Sequence, residues 1–128
     1  MASESGIITI ANLEARSTRD YSTYVDSSNN RRYTDTNIEM WITQAERIVI
    51  AYLGKDYDST APKAVLYCVT ELAHVFANNQ MIKDGFLENE QVIEPILTPA
   101  QIYMLDNMTK KEQASGRIKN IYGVESRY

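Results

Sequence analysis

The sequence predicts a mainly α fold: a small bundle of about three to four helices around a central buried helix, with a long loop or hairpin and an extended C-terminal arm. Three observations predict it. Apolar residues recur at spacings of three and four over 36–53 and again over 60–83, the helical period. Start and stop residues bracket both stretches. With 5 Gly and 3 Pro in 128 residues, the chain has few breakers to interrupt them. That length suits one domain with a real core. The helical domain is expected over 1–116, with a long loop at 17–35, and the arm over 117–128.

Residues 1–6 are small and polar and are expected to fray. Ile7, Ile8 and Ile10 lead into a short helix capped by Thr9, with Ile10 and Leu13, then Ala15, facing inward; a brief strand and turn is the alternative. Residues 17–35 (STRDYSTYVDSSNNRRYTD) carry almost no aliphatic side chain. A small hairpin fits Asp26–Asn30, where Asn29 and Asn30 tolerate positive φ. Tyr21, Tyr24 and Tyr33, interleaved with Arg16, Arg19, Arg31 and Arg32, read as a contact loop. The same mixture suits a nucleic-acid surface, but the global charge favours a protein interface. Lacking apolar content, the loop is expected to order only on assembly.

The second helix is predicted over 36–53, opened by a capping box at Thr36–Glu39 and closed by Gly54. Ile38, Trp41, Ile42, Ala45, Ile48, Val49 and Tyr52 form its apolar stripe, with Glu39, Gln44, Glu46 and Arg47 opposite. It should be about 27 Å long at 1.5 Å per residue. The central helix follows over 60–83, with Thr60 as its cap and Pro62 in its first turn. Apolar residues cover most of its circumference, which marks a buried helix. Asp56 and Asp58 have the opening spacing of a calcium loop, but Ala61 and Tyr67 stand where glycine and glutamate are needed. Asp58 is therefore a turn residue. After a Lys83–Gly85 turn, residues 86–97 mix Glu88, Glu90 and Glu94 with isolated apolars. Thr98-Pro99 starts the last helix, which loses its apolar edge by Thr109 and is expected to stop by Gly116. In the arm, Ile118, Ile121, Tyr122 and Val124 stand between charges, too few for a core of their own.

The formal net charge of −4 and the lack of a basic run argue against a protein whose main task is gripping phosphates. One cysteine, Cys68, lies inside the central helix, so no disulfide framework is expected. Neither a signal peptide nor a membrane span is expected, and the sequon at Asn107 reads as accidental. No cofactor or metal motif is present. The pair Glu71 and His74, on one turn of the central helix, is the sole acid–base candidate; a structural pair at a polar edge is the plainer reading.

The order of elements resembles that of the head-to-tail connector, or adaptor, proteins of tailed bacteriophages. The likeness lies in the lead-in helix at 8–16 (ITIANLEAR), the end of the long helix at 45–54 (AERIVIAYLG), the opening of the central helix at 61–67 (APKAVLY) and its middle at 71–73 (ELA). It covers roughly residues 7–84. The resemblance implies a structural virion subunit that forms a ring, commonly of twelve, below the portal and extends the DNA channel. Its implied partners are the portal, neighbouring copies and the next tail-side component. DNA would pass without specific binding, and no membrane or cofactor is involved. Assembly would take place in the host cytoplasm. The arm residues Arg117, Ile118, Ile121, Tyr122, Val124 and Tyr128 are then the expected portal or subunit interface, with Tyr21, Tyr24, Arg31, Arg32 and Tyr33 as the loop interface. Two alternatives stand beside it: a small helical DNA-binding or regulatory protein, and an enzyme using Glu71 and His74.

Overall fold

The computed structural model describes residues 6–123, with side chains to residue 112. Among the described residues are four α-helices and no strand, and 61% of the chain is helical. The helices are α1 (Ile10–Ser17), α2 (Asp35–Leu53), α3 (Lys63–Lys83) and α4 (Pro99–Gly123), with a 3-10 turn at Tyr21–Thr23. The chain divides into two compact units, Met1–Leu97 and Thr98–Tyr128. In the first unit α1, α2 and α3 each pack on the other two.

The Thr9 cap forms as a reciprocal box: its hydroxyl accepts from the Asn12 N–H, and the Asn12 side chain accepts from the Thr9 N–H. Leu13 is buried, Ile10 half-buried and Ala15 exposed. Ahead of the helix, Ile7 and Ile8 are buried and donate their N–H groups to Glu46 at 2.9 and 3.3 Å. Glu46 is thus a fully buried acceptor on α2, not the solvated residue its helical position suggests.

Helix α2 begins one residue earlier than the predicted start. Thr34 is its cap and Asn37 the reciprocating partner, so Thr36 and Glu39 are not the box. Gly54 closes it at φ 69°, the left-handed turn that glycine adopts without a Cβ clash. Its buried side is Ile38, Trp41, Ile42, Ala45, Glu46 and Val49; Ile48 is half-buried and Tyr52 exposed.

Helix α3 starts at Lys63 rather than Thr60. The Asp58 carboxylate accepts from both the backbone and the hydroxyl of Thr60, which commits Thr60 to the preceding turn. Val65, Cys68, Val69, Leu72, Ala73, Ala77 and Met81 are buried. Leu66, Val75 and Phe76 are half-buried and Tyr67 is exposed, so the helix buries a broad stripe and not its whole circumference.

Thr98 caps α4, exchanging hydrogen bonds with Gln101. The helix runs through Gly116 to Gly123. An internal glycine weakens a helix by about 1 kcal/mol relative to alanine, which does not stop one flanked by good formers such as Lys110, Lys111, Gln113 and Ala114.

Candidate functional site

The loop expected to wait for a partner is ordered by the unit's own side chains. Asp20 caps the 3-10 turn by accepting from the Ser22 N–H at 3.0 Å. A hairpin does form, reduced to one antiparallel bridge between Val25 and Arg31. The Asp26 carboxylate accepts from the N–H groups of Ser28 and Asn30, each at 2.9 Å, and Asn29 takes φ 64° at the tip. Two of the five predicted contact residues turn inward: Tyr21 is 0% and Tyr33 1% exposed. Both rings pack on Trp41, with centroids at 5.4 and 5.3 Å, and Tyr33 also meets Phe86. They are core residues because an aromatic ring buries a large apolar area while its hydroxyl finds a polar partner, Ser17 for Tyr21 and Asp84 for Tyr33. Tyr24 is half-buried against Tyr33 and Phe86. Arg31 and Arg32 remain at the surface, each with an acidic partner: Asp35 at 3.1 Å and Asp84 at 2.8 Å.

Asp84, just after α3, anchors the loop. It accepts from Arg32 and, at 2.7 Å, from the Tyr33 hydroxyl, and Gln80 donates to it as well. Burial pushes this carboxyl up, but the hydrogen bonds from Tyr33 and Gln80 and the charge of Arg32 outweigh that and hold it below the usual range. Burial raises the Tyr33 phenol well above its ordinary value, and the Asp84 carboxylate adds to the rise.

Glu71 and His74 do not hydrogen-bond to each other. Glu71 receives a bidentate contact from Arg16 of α1, through Nε and through Nη2, the latter at 2.9 Å. His74 faces Ser17 Oγ at 3.0 Å through Nδ1 and Asn78 Nδ2 at 3.1 Å through Nε2. Ser17 Oγ lies 2.7 Å from the Tyr21 hydroxyl, and Arg19 donates to Asn78 Oδ1 at 2.7 Å. The two residues thus serve as tethers between α1, the start of the loop and α3. Cys68 is buried, and desolvation pushes its thiol up to about 11, which makes it a poor nucleophile.

The sequence shows the segment after α3 only as acids mixed with isolated apolars, and none of its residues is among the expected contacts. Residues 88–98 run without helix or strand, and Val92, Ile93 and Ile96 stand 51, 63 and 56% exposed among Glu88, Glu90 and Glu94. Asn79 of α3 holds the segment by its centre: its Oδ1 accepts from the Ile93 N–H at 2.9 Å and its Nδ2 donates to the Ile93 carbonyl at 2.6 Å. A side-chain amide here imitates one rung of a β-ladder. The signal in the sequence is three large aliphatics among acids, with no helical or alternating period.

Of the predicted arm residues, Arg117, Ile118, Ile121 and Tyr122 lie on α4 beyond the described side chains, and Val124 and Tyr128 lie outside the described residues. Among the described residues, no group of three His, Cys, Asp or Glu side chains is placed to hold a metal ion, and no helix is long and apolar enough to cross a membrane. No family model, curated protein or solved structure matches the chain.

Proposed function

We propose that this chain is a structural subunit of a tailed-phage virion, a head-to-tail adaptor that assembles as a ring below the portal and extends the DNA channel. The observation that carries the reading is the 88–97 segment. Three large aliphatics within five residues stand exposed on a backbone that Asn79 pins in place. A pinned apolar surface is a contact surface whose ordering entropy is already spent, which favours association. A ring needs a patch that meets a different patch on the next copy, and this segment provides one side of such a contact. The element order is compatible with the reading: a short lead-in helix, then two long helices, in the order on which the resemblance rests. The acidic balance, with net charge −4, suits the wall of a channel through which DNA slides, because like charge opposes sticking.

The test is co-purification of the full chain with its neighbouring virion proteins, followed by imaging of the product. Rings attached to portal-bearing heads are expected. Replacing Val92, Ile93 and Ile96 together by serine should abolish attachment while leaving the helical spectrum unchanged. A chain that never associates with heads, or one whose main affinity is for DNA with a steep salt dependence, would overturn the reading.

A further inference from the structure

The protonation state of His74 follows from the groups around it. A guanidinium can only donate hydrogen bonds. Asn78 Oδ1, 2.7 Å from Arg19 Nη1, is therefore the acceptor, which fixes the amide and turns its NH2 toward His74. That NH2 also can only donate, so His74 Nε2, 3.1 Å away, must present a lone pair. The imidazole proton then sits on Nδ1 and is donated to Ser17 Oγ at 3.0 Å. Ser17 is left free to donate to the Tyr21 hydroxyl at 2.7 Å.

A second proton on the ring breaks this order. It would place an N–H on Nε2 against the Asn78 NH2, donor facing donor. Turning the amide over would relieve that clash and create another, because the NH2 would then face the Arg19 guanidinium. The network accepts only the neutral ring. The surrounding charges act in the same direction on balance. Burial of the ring, then Arg16 of α1 and Arg19 of the loop, oppose protonation; Glu71 of α3, already held by Arg16, and Glu90 of the 86–97 segment favour it. His74 is held below its ordinary value as a result.

We propose that His74 is a proton-operated latch: neutral, it holds the end of α1 and the start of the loop onto α3, and protonated, it releases residues 18–20 through Asn78 and Arg19. The linkage has a definite sign. The folded protein binds this proton less readily than the unfolded chain, whose histidine titrates at about 6.5. The latch therefore contributes stability above that pH and loses it as pH falls through the lower folded midpoint.

The chain has a single histidine, so long-range proton–nitrogen NMR on the full protein reads it without ambiguity. The expected result is the Nδ1–H tautomer near neutral pH and a midpoint below about 6.5. The amides of Ser17, Arg19, Tyr21 and Asn78 should shift with that midpoint. Asn78→Ala should move the midpoint up toward about 6.5, and Asn78→Asp, which supplies an acceptor to Nε2, should carry it higher still. The Nε2–H tautomer, a midpoint that neither variant moves, or a histidine that titrates without any response from residues 17–21 would each overturn the proposal.

Discussion

Two non-helical stretches of the first unit have exchanged the roles that their compositions suggest. The 18–34 loop is polar and almost free of aliphatics, yet it is tied down along its length. The 86–97 segment carries Val92, Ile93 and Ile96, yet it leaves them in solvent. The difference is in what each stretch can anchor. The loop has two tyrosines whose rings fit around Trp41 and a carboxylate, Asp84, waiting for Tyr33 and Arg32. Past Phe86, whose ring meets Tyr24 and Tyr33, the segment is held at its centre by Asn79, which grips backbone and leaves Val92, Ile93 and Ile96 exposed. Order in a loop is set by a few well-placed anchors more than by its apolar fraction.

The contrast can be broken most forcefully at Tyr33. Tyr33→Ala removes a buried ring that meets Trp41, Tyr24 and Phe86, and should destabilise the unit by about 3–5 kcal/mol in denaturant unfolding. A loss under about 1 kcal/mol would mean that the loop is not part of the core. Asp84→Ala comes next, at about 1–3 kcal/mol, because it leaves the Tyr33 hydroxyl without its acceptor. Its effect has a pH signature. The Asp84 carboxyl is held below its unfolded value of about 3.9, so its contribution is present above that pH and is lost as pH falls through the folded value. Wild type and Asp84→Ala should therefore converge in stability in strong acid, and parallel curves would exclude the anchor. Asn79→Ala should cost about 1 kcal/mol, the net worth of exposed side-chain-to-backbone bonds, and should speed amide exchange at Ile93. The smallest effect belongs to Ile93→Ser, expected within about 0.5 kcal/mol of wild type in the isolated protein. A large loss there would show that the side chain is already buried by something in the free state.

Helix content was legible because it depends on local periodicity: α2 and α3 lie where the apolar spacing put them, and Gly54 ends α2 as expected. Cap choice was less so. Thr34 and Thr36 both have a polar partner three residues on, Asn37 and Glu39, and only the backbone path decides between them. The buried role of Glu46 was illegible, since its bonding partners are N–H groups of Ile7 and Ile8, 39 and 38 residues away. The pairing of Arg16 with Glu71 and of Ser17 with His74 was hidden for the same reason, each joining residues more than fifty apart. The exposed segment was visible only as an absence of period. Its exposure is a tertiary fact.

The packing of Tyr21 and Tyr33 against Trp41 has an optical consequence. Trp41 is the single tryptophan of the chain, and two phenols sit within 6 Å of it, donors well placed to pass excitation to the indole. Its emission therefore reports directly on whether the loop is seated. Lifting the loop would admit water to the indole, shift the emission to the red and weaken excitation through tyrosine. Because α2 carries the indole and the loop carries both phenols, the two changes should appear together when the loop leaves. If only the helix were to loosen at its far end, near Gly54, neither should occur. The protein thus has a built-in fluorescent gauge of one particular motion, and it needs no label.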